Sequence, residues 1–170
     1  SSDVCSSDLR KPGLTGPFPE KDESENIMIV DLMRNDLSKV CVKDSVHVSK
    51  LLDIHELPGL AHLVSDIEGA LQEGVTWDQI LKATLPPGSV SGAPKSSAIK
   101  LIKKYEKLDR GPYCGAFGWI HGNRAELAVA IRTFWSDGAT VKFGTGAGIT
   151  WGSSPIDRKS TRLNSSHSQQ

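Results

Sequence analysis

Long apolar runs are missing from this sequence: no stretch approaches the roughly 18 consecutive apolar residues that a membrane span needs. The N-terminus is polar and serine-rich, without the apolar segment that marks a secretory signal. An excess of either charge is missing as well, because 20 Lys and Arg against 20 Asp and Glu leave the formal charge at zero. That balance excludes a generally basic nucleic-acid binder and an acidic solvating tail. Cysteine is scarce. The three present, Cys5, Cys41 and Cys114, are widely and irregularly spaced, which suits neither a disulfide framework nor a zinc site. They read as reduced thiols of a cytoplasmic protein. No internal repeat is visible, and 170 residues leave room for one ordinary domain or two very small ones.

The ends differ from the middle. Residues 1–10 read SSDVCSSDLR, and residues 158–170 (RKSTRLNSSHSQQ) hold a single large apolar side chain, Leu163, too little to make a packing face. Both ends resemble translated sequencing-adapter sequence, so they are expected to be non-native and to stay out of the fold. The fold is expected within 11–157.

Residues 11–24, rich in proline, glycine and charge, read as a loop. Residues 26–33 (NIMIVDLM) are largely apolar and predict a buried strand, followed by a short helical turn that Asn35 or Asp36 would cap. Strands are also predicted over 45–52 and 61–71. In the latter, Leu63, Ser65 and Ile67 would face one side, and His62, Val64, Asp66 and Glu68 the other. Thr76 can cap a helix over 77–85 that Pro86-Pro87 stops. A second helix starts near Pro94 and runs to about Leu108, with one apolar stripe and lysines opposite. Strands over 114–121, 126–135 and 139–144 predict an antiparallel meander turned at Gly122-Asn123 and Asp137-Gly138. Segregated strands and helices without a repeated βαβ unit argue for an α+β fold.

Several features point to a pocket for a carboxylated anion. The loop Gly88–Ser96 (GSVSGAPKS) enters a helix whose free N–H groups could hold an anion; it lacks the Walker A spacing and could equally be a tight connection. Arg132, predicted on a strand beside the small Ala128 and Ala130, has room for bidentate grip of a carboxylate, or is simply solvent-facing. The cluster Gly144–Gly148 lets a ligand approach the backbone, or makes a bulge. Asp22 and Glu25, just before the first predicted strand, offer oxygen ligands to a hard cation such as Mg2+, or are solvated. His62 shares a face with Asp66 and Glu68, which suits proton transfer; a structural role is the alternative.

Five segments in order, Glu25–Cys41 (ENIMIVDLMRNDLSKVC), Pro87–Lys95 (PGSVSGAPK), Gly111–Ile120 (GPYCGAFGWI), Ala130–Thr133 (AIRT) and Gly146–Ile149 (GAGI), resemble the chorismate-utilising enzymes over roughly residues 20–156. The resemblance implies the C-terminal part of the chorismate-binding fold, an α+β domain of stacked antiparallel sheets flanked by helices, with 11–157 a partial catalytic domain. By position it assigns Glu25 to Mg2+, with Asp22 as a supporting acid. It sets His62 near the hydroxyl that leaves the ring, and places Ser89 and Gly92 in the pocket lining. It gives Tyr113 and Arg132 the enolpyruvyl carboxylate, and Gly146, Ala147 and Gly148 a carboxylate-binding turn. It implies chorismate as substrate, and ammonia from a glutamine amidotransferase subunit or fused domain. No nucleic acid or membrane partner is implied.

Within the family, ENIMIVDLMRNDL, PYCGAFGWI and GAGITW look most like the aminodeoxychorismate synthase component I branch, which forms 4-amino-4-deoxychorismate for 4-aminobenzoate and folate. Anthranilate synthase component I, of tryptophan biosynthesis, shares every motif present. A metal-free carboxylate-binding module is a third reading. The sequence departs from the family after GAGI, where SSPIDRKST stands in place of an acidic segment carrying another Mg2+-binding glutamate. The upstream PI-x-GT segment is also absent. The chain alone is therefore expected to be inactive.

Overall fold

The computed structural model describes residues 2–5, 18, 20–57 and 60–149. The chain divides into two compact units, one running to Gly88 and the other starting at Ser89.

In the first unit, helix α1 (Glu20–Leu37) packs on a sheet of order β1-β3-β2, formed by β1 (Ser2–Cys5), β2 (His47–Leu57) and β3 (Leu60–Glu68). All of its pairings are antiparallel. Here the strand expected over 26–33 gives way to helix. Asp22, Asn26 and Val30, spaced four apart, are all buried, and Ile29, Met33 and Leu37 continue that stripe against Val30 and Ile67. This is a helical period. Ile27 and Met28 on the outer side are exposed; being apolar as well, they blur the contrast on which periodicity depends. Asn35 and Asp36 accordingly lie inside α1 rather than capping a separate turn.

Strand β3 alternates as its sequence predicts: Leu63, Ser65 and Ile67 are buried. Its outer edge is taken by Ser2–Cys5, contrary to the expectation that residues 1–10 stay out of the fold. An open strand edge offers a row of unpaired N–H and C=O groups that an extended segment can meet with backbone alone, whatever its side chains. Strand β2 carries irregular register between Val48 and Asp53, with Leu52 in the left-handed region at φ 56°.

Helix α2 (Trp77–Thr84) begins with the predicted cap, a complete capping box between Thr76 and Gln79. Its Ala83 packs with Val40 and Cys41. Helix α3 is a single turn, Gly88–Ser91.

In the second unit, α4 (Lys95–Tyr105) starts after Pro94 as expected. The predicted three-stranded meander is instead two ribbons, β4 (Ala116–His121) with β5 (Arg124–Val129), and β6 (Phe134–Ser136) with β7 (Val141–Phe143). The strand expected over 126–135 breaks at Arg132, whose φ of 52° lies in the left-handed region and not in the extended one. Just before it, Ile131 N donates to Val129 O at 2.8 Å, a three-residue turn that ends the ladder. Gly122 turns the first hairpin at φ 58°. In the second, Asp137 Oδ1 accepts from the N–H groups of Ala139 and Thr140.

Among the described residues, no helix is long and apolar enough to cross a membrane.

Candidate functional site

Asp22 and Glu25 lie in the first two turns of α1 rather than in the loop expected for them. Three residues apart on a helix, they project from neighbouring positions on one side. Asp22 is buried and Glu25 half-buried. Glu20, Asp22 and Glu23 make the first turn acidic, which also favours the helix N-terminus electrostatically.

His62 is half-buried on β3, directly across the ladder from His55. His55 in turn lies 3.2 Å from Asp53 Oδ2. A buried polar bridge that sequence reasoning did not identify joins α1 to this strand. Asn26 Nδ2 donates to Leu63 O at 3.2 Å, and Ser65 Oγ donates to Asn26 Oδ1 at 2.7 Å. The same hydroxyl accepts from Leu52 N at 2.9 Å. Asn26 follows Glu25 and Leu63 follows His62, so this bridge fixes the helix bearing the acids against the strand bearing the histidine. A signal for it was present: a serine on the core face of β3 needs a polar partner.

In the second unit, Ser89 is exposed in α3, and Gly92 has a φ of 101° that favours glycine. Tyr113 and the glycine cluster meet. A Cβ added to Gly144 would overlap the Tyr113 ring, and one added to Gly146 would lie 2.8 Å from the phenol oxygen. Only bare glycine backbone leaves space for the ring there. Cys114 N donates to Ala130 O, and Ala130 N to Gly115 O, extending the β4–β5 ladder one step. That pairing sets Tyr113 at the same ribbon end as Arg132, which is exposed on its left-handed backbone. Thus the second unit sets the Tyr113 phenol against the Gly144 and Gly146 backbone, with Arg132 at the same ribbon end.

Around Tyr113 the charges are organised. Arg110 Nε and Nη2 donate to both oxygens of Glu106 at 2.8 and 2.6 Å, and this bond holds the Glu106 carboxyl below its usual pKa. Burial pushes the Tyr113 phenol and the Cys114 thiol up, so both stay protonated at neutral pH.

Mg2+ is commonly held by one or two carboxylates together with water and ligand oxygens. Asp22 and Glu25, oxygen donors one helical turn apart, fit that chemistry as a partial ligand set. Among the described residues, no group of three or more His, Cys, Asp or Glu gathers for a metal. The segment that departs from the family, SSPIDRKST, lies outside the described residues.

Anthranilate synthase component 1 of Saccharolobus solfataricus is 43% identical to this chain over 137 residues, which is 80% of this chain and 32% of that enzyme. Aminodeoxychorismate synthase of Streptomyces pristinaespiralis is 40% identical over 139 residues, 81% of this chain and 19% of that one. The crystal structure of anthranilate synthase component I from Streptococcus pneumoniae TIGR4 superposes with a TM-score of 0.75 at 35% identity, covering 86% of this chain and 34% of that one. The chain thus spans about a third of the length of the first of these relatives. Residues 19–158 match the chorismate binding enzyme family, the α+β architecture agrees with its solved relative, and this chain belongs to that family.

Proposed function

We propose that this chain is the chorismate-gripping part of an enzyme that aminates chorismate, of the anthranilate synthase component I type. The observation that carries the reading is the meeting of the Tyr113 phenol with the Gly144–Gly146 backbone at the ribbon end that bears Arg132. A phenol O–H, a guanidinium and backbone N–H groups are all donors, which is what a carboxylate requires. Anthranilate synthases among the relatives, one of them at 45% identity, support this branch. This reverses the order expected from the motifs, where the aminodeoxychorismate branch came first.

Chorismate is a dianion that must lose hydroxide, a poor leaving group. Arg132 and Tyr113 orient the enolpyruvyl carboxylate, and Gly146, Ala147 and Gly148 offer backbone N–H groups to a carboxylate. Ser89 and Gly92 line the pocket. The family resemblance assigns His62 the proton for the departing hydroxyl, which would leave as water, a contribution on the order of 10²–10⁴-fold. Glu25, supported by Asp22, would hold Mg2+, which supplies positive charge for the ring carboxylate as the double bonds shift. Ammonia is the nucleophile, delivered by a glutamine amidotransferase subunit or fused domain; to reach anthranilate the aminated ring then loses a ring proton and its enolpyruvyl group, which departs as pyruvate and leaves the ring aromatic.

Formation of 4-amino-4-deoxychorismate is the second reading, favoured by the 40% identity to the Streptomyces aminodeoxychorismate synthase. A chimera carrying residues 19–157 of this chain in place of the matching third of the Saccharolobus solfataricus enzyme separates the two. Supplied with chorismate, ammonia and Mg2+, it is expected to release fluorescent anthranilate. Accumulation of 4-amino-4-deoxychorismate instead would overturn the assignment. Glu25→Ala should abolish the Mg2+ dependence of ligand binding; binding that ignores Mg2+ in both proteins would indicate a metal-free carboxylate module.

A further inference from the structure

Arg110 has no part in the chemistry above, yet it is tied to the residue that does. Tyr113 N donates to Arg110 O at 3.1 Å across a turn with Gly111 at φ 57°. That turn brings the Arg110 guanidinium over the phenol, with Cζ 5.5 Å from the ring centroid, within cation–π range. The arginine is poorly placed to grip a ligand itself. Its Nε and Nη2 are engaged with both Glu106 oxygens, and its side chain is only 25% exposed. Glu106 lies four residues back as the C-cap of α4, where its own N–H donates to Ile102 O, so the fork is anchored to the end of a helix.

We infer that Arg110, anchored by Glu106, is a positioning residue that holds the Tyr113 ring against the Gly144–Gly146 backbone. The ring needs such a hold, because bare glycines offer it no side chain to wedge it in place. A planar fork that pairs bidentately and stacks on an aromatic at the same time is a task for arginine and not for lysine. The inference rests on the reading that Tyr113 meets the substrate carboxylate, but its geometry stands on its own.

The test uses the full 170-residue chain, in which Tyr105 is the other tyrosine and serves as an exposed internal reference. A ring lying over Gly144 and Gly146 displaces their proton resonances through its ring current, and Tyr113→Ala defines the position with no ring. Arg110→Gln and Glu106→Gln should each move these glycine signals most of the way to the Tyr113→Ala position while the α1 and β3 amides stay unchanged. Arg110→Lys should fall between Arg110→Gln and the wild type. Tyr113→Phe should keep the displacement, since it retains the ring and loses only the phenol oxygen. If Arg110→Gln fails to fold, Glu106→Gln decides. Wild-type glycine shifts in the folded Glu106→Gln or Arg110→Gln protein overturn the inference, as does their loss in Tyr113→Phe alone. A separate chorismate titration tests the underlying reading. If no ligand shift appears at Gly146–Gly148 in the wild type, the function fails while the glycine displacements still decide the role of Arg110.

Discussion

Replacing Ser65 by alanine removes one oxygen from the bridge between α1 and β3. Ser65 and Asn26 are 0% and 1% exposed, and Ser65 Oγ is donor to Asn26 Oδ1 and acceptor from Leu52 N. The alanine leaves the amide oxygen of Asn26 buried without that donor, a loss of about 1–3 kcal/mol. It also frees the Leu52 N–H, which is half-buried and can recover part of its bond from water. That bond pins Leu52 at φ 56°, a conformation that costs a leucine about 1–2 kcal/mol. The expected net loss is about 2–3 kcal/mol, read as a lower urea midpoint by far-UV circular dichroism. Hydrogen exchange at the Leu52 amide should accelerate in the same protein, because its acceptor is gone. Combining Ser65→Ala with Asn26→Leu removes both polar partners, so the double variant should lose less than the sum by about 1–2 kcal/mol. A change below about 0.5 kcal/mol for Ser65→Ala, unaltered Leu52 exchange or strict additivity would refute the bridge as the bond between helix and strand.

Three further outcomes follow from the packing and the titrating groups. Gly69→Ala places a Cβ 2.8 Å from Cys41 Sγ and 3.1 Å from Val46 Cγ2, so thermal or urea unfolding should show a loss of about 1–3 kcal/mol from overpacking. Gly144→Ala should displace the Tyr113 ring, whereas Gly148→Ala meets nothing within 4 Å and should leave it in place, as read by tyrosine ring resonances. Burial raises Cys41, Cys114 and Tyr113 in the folded chain, so above the ordinary thiol pKa of about 8.5 the unfolded chain holds fewer protons than the native one. Urea stability should therefore be intact below that pH and fall as pH rises through the raised folded values. Each thiol contributes a slope of at most about 1.4 kcal/mol per pH unit, with the phenol following above about 10. Cys114→Ala should flatten the thiol part of that fall.

Where a segment carries one unambiguous local signal, its sequence announces its structure. The Thr76–Gln79 capping box, the start of α4 after Pro94 and the alternation of Leu63, Ser65 and Ile67 are of this kind. The misses arise where two signals compete. Helix α1 hides because exposed Ile27 and Met28 lie opposite the buried stripe, making NIMIVDLM apolar all round. The strand predicted through Arg132 ignores a backbone turn that the composition of AIRT does not mark. At the site, the resemblance singled out the glycine cluster and Tyr113, but their mutual contact depends on a fold-back between residues thirty or so positions apart. Asn26 and Arg110 were invisible because their roles come from partners, Ser65 and Leu63 for one, Glu106 and Tyr113 for the other. Family resemblance reached further than local pattern, since five ordered segments identify a relationship that no single loop or strand would.

The central claim is that the groups of the second unit hold a chorismate carboxylate. Titrating chorismate into the isotope-labelled chain while following its amide and side-chain resonances tests it most directly. Shifts concentrated at Tyr113, Arg132, Gly146, Ala147 and Gly148, and abolished by Arg132→Ala, are the predicted result. Resonances there that do not respond, or a response that survives unchanged in Arg132→Ala, would contradict the account.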